Sequence, residues 1–254
     1  MPSIEENKRL FGQDYDWSLG GEEWSVAWGG PDMQWFGTLL PRLHRFLPAV
    51  RIVEIAPGYG RWTHYLKDHC KELIGIDVAE VCVAACKRRF AADPNLRFHV
   101  GDGAALPMVD DASVDLLFSF DSLVHADPDA LGSYLAEAAR VLRTDGVAWI
   151  HHSNLGIYAG RMDEVDAQHG RDPVTTDEKV RRFAEAQGLR CLGQELINWG
   201  TERALIDAIS LFCQADGAWE GAGEVLENPD FMDEVRYLRR LAALYRPDRL
   251  EAGV

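Results

Sequence analysis

Residues 51–62 read RIVEIAPGYGRW, an apolar run that breaks on a proline and two glycines. Ile52, Val53, Ile55 and Ala56 predict a buried parallel strand, since a near-continuous apolar run suits a sheet covered on both faces. Pro57 and Gly58 end the run, Gly60 follows two residues on, and 61–67 holds residues that form a helix. A strand, a glycine turn and a helix in that order make a corner that cradles a nucleotide. Glycine lets the backbone come close to a ligand, and the start of a helix presents free N–H groups. The dinucleotide fingerprint asks for a third glycine three residues after Gly60. Thr63 stands there instead, and an acid, Glu54, lies inside the strand.

The rest of the chain repeats the strand-helix alternation. A second strand over 72–77 ends in Asp77, about 20 residues after the turn, where an acid holds the ribose hydroxyls of a nucleoside. Asp77 could instead cap the helix predicted over 80–90, but with Gly58 and Gly60 upstream ribose binding is the favoured reading. Strands follow at 96–100, 113–120 and 147–151, with a helix over 129–142. Thr175 and Glu178 form a capping-box pattern for a helix that Gly188 ends. Two closing strands are predicted at 189–197 and 205–212. The pattern implies an α/β fold with a doubly wound, mostly parallel sheet of seven strands and helices on both faces.

Trp35, Leu39, Leu40, Leu43 and Phe46 recur at helical spacing and predict a helix over 32–46, with Asp32 as its N-cap. Before it, Trp17, Trp24 and Trp28 stand in a segment punctuated by Gly20-Gly21 and Gly29-Gly30. So aromatic a segment is expected to fold over the main domain, as plain packing or as a lid. A final helix over 230–244 is read as packing or as a homodimer contact. The organisation expected is one domain over 1–254: a lid and helix at 1–46, a ligand-binding core at 47–213 and a helical extension at 214–254. Hydrophobic residues make up 47% of the 254, enough for such a core.

The formal net charge is −15. That argues against a nucleic-acid partner, whose phosphates it would repel, and against an anionic membrane surface. No apolar run is long enough to span a bilayer, and the N-terminus shows no secretion signal. The five cysteines are odd in number and form no Cys-x-x-Cys pair, as expected of reduced thiols in the cytoplasm.

Glu54-x-Ala56-x-Gly58-x-Gly60 resembles the first motif of the class I S-adenosylmethionine (SAM)-dependent methyltransferases. The resemblance implies that the turn wraps the methionine end of SAM and that Glu54 supports the turn. The strand at 96–100, followed by Gly101-Asp102-Gly103-Ala104, is similar to a second motif of that family. There the aspartate accepts a bond from the adenine amino group. The cofactor set so implied is Trp28, Glu54, Ala56, Gly58, Gly60, Trp62, Asp77, Val78, Asp102, Gly103, Ala104 and Phe120. The runs SFDSLVHA at 119–126 and IHHSNLG at 150–156 look like a group of bacterial sugar O-methyltransferases, as do Asn198-Trp199-Gly200 and the run DAIS at 207–210. Those enzymes methylate rhamnose or mannose units of glycolipids and polysaccharides. The likeness runs from about Trp28 to the last helix, and it implies a small saccharide acceptor.

Methyl transfer to a hydroxyl needs the acceptor in line behind the methyl, water excluded, and a group to take the proton. In a parallel sheet such groups belong at the carboxyl ends of the strands. Asp121 and His125 follow strand four; His151 and His152 end strand five, with Asn154 beyond. Histidine is matched to accept a proton near neutral pH. Neighbours on an extended chain face opposite ways, so one of the pair His151 and His152 is expected in the crevice. His152 is read as the general base, His151 as its rival and His125 as the next candidate, with Asp121 orienting a histidine. A second reading gathers Asp121, His152 and Asn154 around Mg²⁺; it ranks lower, because Mg²⁺ prefers oxygen ligands. Residues 153–175, with Arg161, Arg171 and His169, are expected to form a substrate loop. The alternatives to a sugar O-methyltransferase are a small-molecule O- or N-methyltransferase and a silent SAM-binding protein.

Overall fold

The computed structural model describes residues 3–165, 170–200 and 203–245. The strands are β1 (Ala49–Ile55), β2 (Cys70–Asp77), β3 (Leu96–Val100), β4 (Val114–Ser119), β5 (Leu142–Ser153), β6 (Leu189–Ile197), β7 (Asp207–Gln214) and β8 (Glu224–Asn228). The helices are α1 (Ile4–Arg9), α2 (Pro31–Gln34), α3 (Leu40–Leu43), α4 (Thr63–Leu66), α5 (Glu80–Arg89), α6 (Pro128–Val141), α7 (Asp177–Ala186) and α8 (Arg236–Leu244). Among the described residues the strands form one sheet in the order β3-β2-β1-β4-β5-β7-β6-β8. β7 runs antiparallel to its neighbours β5 and β6, and the other pairings are parallel.

The sheet therefore has eight strands, not the expected seven. β8 adds to the outer edge of β6, inside the segment expected to be a helical extension. It has no buried face, with Val225 and Leu226 both exposed, so it leaves no apolar alternation to read. The last helix also starts later than expected, at Arg236, after a short turn over Phe231–Asp233.

Side chains along each strand alternate between two cores. Val53, Ile55, Ile76, Ala148 and Ile150 face α6 and α7. Ile52, Leu73, Phe118, Trp149 and Ile209 face the other way, against α5, the helical stretch at 31–46, and Phe231 and Val235. That stretch begins at Pro31, not at Asp32, and widens into a π turn over Trp35–Leu39 before α3. Pro41, in the first turn of α3, has no N–H to give to the preceding turn.

Strand order reverses between β1 and β4, and at such a switch point the strand ends splay to open a crevice. The N-terminal segment lies across it. Asn7 Nδ2 donates to the His125 carbonyl at 2.8 Å. Trp17 stacks on Tyr59, with ring centroids 4.6 Å apart. Among the described residues no helix is long and apolar enough to cross a membrane.

Candidate functional site

The turn after β1 has a backbone that few residues adopt. Ala56, Gly58 and Gly60 have φ of +55°, +57° and +82°. A Cβ on Gly60 would lie 2.4 Å from the Phe90 ring, so this position needs glycine for room as well as for conformation. Thr63, where the dinucleotide fingerprint has its third glycine, donates its hydroxyl to the buried Glu54 carboxylate. The strand acid thus holds the start of α4. Burial pushes Glu54 up to about 7. Asp77 accepts from Gly58 N at 3.0 Å and from Ala79 N at 2.9 Å, which fixes the turn to the end of β2. Burial outweighs those bonds and pushes Asp77 up to about 6.

A cavity opens over this turn. Ala56, Gly58, Trp62, Asp77, Val78, Gly103 and Phe120 line it, and Ile4, Phe11 and Trp17 close it from the N-terminal side. Glu54 and Gly60 stand behind the turn, one bonded to Thr63 and the other against Phe90. Asp102 is exposed, and its Oδ1 accepts from Ala104 N and Ala105 N, both at 2.8 Å. The Ala105 and Ala104 N–H groups hold its carboxyl below the usual carboxylate range. Trp28, placed with the cofactor residues from sequence, belongs to the core. It is wholly buried between Trp199 and Phe231, at ring distances of 5.6 and 5.8 Å.

A second cavity opens beside the first, lined by Tyr15, Trp24, Asp121, His125, Arg171 and Trp199, with Leu10 and Phe11. Asp121 and His125 line both. Arg61 Nη2 donates to Asp121 Oδ2 at 2.7 Å, and the same guanidinium lies 4.5 Å over the Trp62 ring. Arg171 donates from Nε and Nη2 to Asp207, at 2.6 and 2.7 Å. Burial pushes Asp207 up, but the Arg171 charge and the His151 contact outweigh it and keep the carboxyl far below its ordinary range. Sequence alone did not pair Arg171 with Asp207; its one signal is a lone acid opening the apolar β7.

The three histidines have different surroundings. His125 Nδ1 lies 3.0 Å from the Gly170 carbonyl. A carbonyl only accepts, so Nδ1 carries the proton and Nε2 is the basic nitrogen. Burial lowers the His125 pKa. His151 Nδ1 accepts from Asp121 N at 3.0 Å, and its ring stacks on Phe120 at 4.7 Å. His151 Nε2 lies 3.2 Å from Asp207 Oδ2 but is poorly aligned for a hydrogen bond.

His152, first choice for the base, is turned to the opposite face of β5. Its Nε2 is 2.7 Å from Ser210 Oγ and its Nδ1 is 2.9 Å from the Ser153 carbonyl. It is fully buried, burial lowers its pKa to about 4, and it lies away from both cavities. The reason is the alternation of β5, which gives the crevice side to His151. His169 lies outside the described residues.

The Mg²⁺ triad is not assembled. Besides the engaged His152, Asn154 donates to the Leu205 carbonyl and accepts from Asp177 N, and Asp121 is paired with Arg61. Among the described residues no group of three or more His, Cys, Asp or Glu is placed to hold a metal ion.

Comparison with known proteins agrees with this geometry. The family described as "Methyltransferase domain" matches residues 52–146. No curated protein matches the chain. Among solved structures the chain is similar to the PH0226 protein from Pyrococcus horikoshii OT3, at 19% identity and a TM-score of 0.57, over 81% of this chain and 95% of that one. It is similar to geranyl diphosphate methyltransferase in complex with SAM, at 13% identity and a TM-score of 0.56, over 72% and 85%. A chain of the complex between the Haloferax volcanii Trm112 methyltransferase activator and a methyltransferase aligns at 18% identity and a TM-score of 0.55, over 78% and 96%. At these identities the structures speak for the fold, while the domain match covers the end of β1, the glycine turn, Asp77, Asp102 and Asp121. Residues 52–146 match a methyltransferase domain, and this match together with the shared fold supports a SAM-dependent methyltransferase.

Proposed function

We propose that this methyltransferase acts on a hydroxyl of a saccharide, with His125 taking the proton. The observation that carries the proposal is the second cavity, which adjoins the nucleoside cavity and shares His125 and Asp121 with it. Each guanidinium near it is neutralised by an aspartate, Arg61 by Asp121 and Arg171 by Asp207. The cavity is therefore polar without a large net charge. Its walls are the rings of Tyr15, Trp24 and Trp199. Aromatic faces with a few fixed polar groups suit a neutral ring that carries hydroxyls.

Bound SAM supplies a methyl already activated on a sulfonium. The chain supplies the rest. The Gly58 turn and Asp77 hold the nucleoside, and the free oxygen of Asp102 is the proposed acceptor for the adenine amino group. Phe11 and Trp17 exclude water. His125 Nε2 takes the acceptor proton as the new bond forms. The donors once assigned to Mg²⁺ are engaged elsewhere, so proton transfer is given to His125 alone, and chelation by EDTA is expected to leave the rate unchanged.

The test is methyl-labelled SAM offered to a panel of partly methylated mannosides and rhamnosides. Label should appear as a stable ether in at least one, with matching release of S-adenosylhomocysteine. Transfer to phenols or amines with no transfer to any saccharide would overturn the acceptor class and leave the methyltransferase intact.

A further inference from the structure

Asp121 is a side-chain-bearing residue at φ +61°. That conformation crowds Cβ against the following carbonyl, and it persists only where the surroundings fix it from several sides. Asp121 lines both cavities, so its turn sets the wall they share. Three contacts fix it. Its carboxylate accepts from Arg61. The next residue, Ser122, donates from Oγ to the carbonyl of Ala56, another non-glycine residue at positive φ, at 3.1 Å. Its own N–H donates to His151 Nδ1 at 3.0 Å.

That last bond decides what His151 does. A neutral imidazole has one donor and one acceptor nitrogen. Because Asp121 N can only donate, Nδ1 is the bare nitrogen and the His151 proton sits on Nε2, facing Asp207. The lone pair that would make His151 a base is spent on the backbone. The ring is also wholly buried, stacked on Phe120 and 5.4 Å from Trp199.

We propose that His151 is a positioning residue for methyl transfer: it holds the Asp121 turn in its strained form, and the turn shapes the wall between nucleoside and acceptor. The proposal rests on the cofactor cavity and not on the saccharide.

The experiment needs no acceptor. Affinity for S-adenosylhomocysteine is measured by calorimetry for the wild type, His151→Asn and His151→Gln. Asparagine puts an acceptor oxygen near the place of Nδ1, whereas glutamine reaches toward Nε2 and leaves the Asp121 N–H unpaired. His151→Asn should bind within about threefold of the wild type, and His151→Gln about tenfold more weakly, the scale of one lost hydrogen bond. Circular dichroism checks that each variant is folded. If His151→Gln does not fold, backbone amide exchange at Asp121 is compared between the wild type and His151→Asn, and protection should be kept. Equal affinity in all three proteins, an asparagine variant as weak as the glutamine one, or loss of Asp121 protection in His151→Asn overturns the proposal. A wild type that fails to bind S-adenosylhomocysteine would instead count against the cofactor cavity itself.

Discussion

The Thr63 hydroxyl donates to the Glu54 carboxylate in a site closed to water. Glu54 Oε1 has no hydrogen-bond partner there, so the charged form is poorly supported and burial raises its pKa from an ordinary 4.5 to about 7. A raised carboxyl makes the folded state the better proton binder. The resulting stability is complete below pH 4.5 and is lost as pH rises through about 7. Asp77 acts in the same sense, from 3.8 to about 6. Unfolding by urea should therefore show the wild type weakening between pH 5 and pH 8. Glu54→Gln, which keeps an acceptor for Thr63 but carries no charge, should weaken less, by on the order of 2–3 kcal/mol. Identical pH slopes in the two proteins would show that Glu54 is not the strained group.

Gly60 tests the turn by shape. Alanine there meets the Phe90 ring at 2.4 Å and must keep φ +82°. The backbone and overpacking costs together come to roughly 2–5 kcal/mol. At Gly20, also at positive φ, a Cβ meets open space, so Gly20→Ala should cost only the backbone part, about 1–2 kcal/mol. Thermal melts of both variants check this. Combining Gly60→Ala with Phe90→Leu should recover part of the loss. Equal melting temperatures for Gly60→Ala and Gly20→Ala would remove the steric argument.

The parallel half of the sheet was legible because its strands are buried on both faces and stand out as apolar runs between turns, as in RIVEIA before Pro57. β8 was not, since nothing along it is buried. Within the site, the glycine turn and its closeness to Asp77 were legible because they follow from local chain order. The choice between His151 and His152 was not. Alternation says that they part, but which face of β5 meets the crevice is set by partners far along the chain, Ser210 for one and Asp207 for the other. The Arg171–Asp207 pair joins a loop to a strand 36 residues later, a contact that no local pattern announces. Trp28 was misplaced for the same reason: an aromatic near a glycine pair reads alike whether it caps a cavity or fills a core.

His125 carries the proton-transfer assignment. With an acceptor in hand, His125→Ala should lower kcat by about 10²–10⁴-fold, the range of a lost general base. Burial holds its pKa below the ordinary 6.5, so neutral imidazole persists into mildly acidic solution. The acidic limb of kcat/KM against pH should therefore fall below pH 6.5 in the wild type and vanish in His125→Ala. Retention of that limb in the variant would move the base elsewhere.

Arg171 and Asp207 give the most direct test of how the wall of the second cavity is built. Both are buried, and the aspartate is kept ionised by the guanidinium beside it. A carboxyl held below its unfolded value of 3.8 contributes stability above that pH and loses it as pH falls. Arg171→Met removes the cation and strands a buried charge, at a cost of about 3–5 kcal/mol. Adding Asp207→Leu removes the stranded charge, and the double variant should be more stable than the single one. It should still methylate poorly, because both the polar wall and the His151 contact are gone. Guanidinium unfolding of the two variants at pH 7 decides the point: a double variant less stable than Arg171→Met would mean that Asp207 holds the fold through partners other than Arg171.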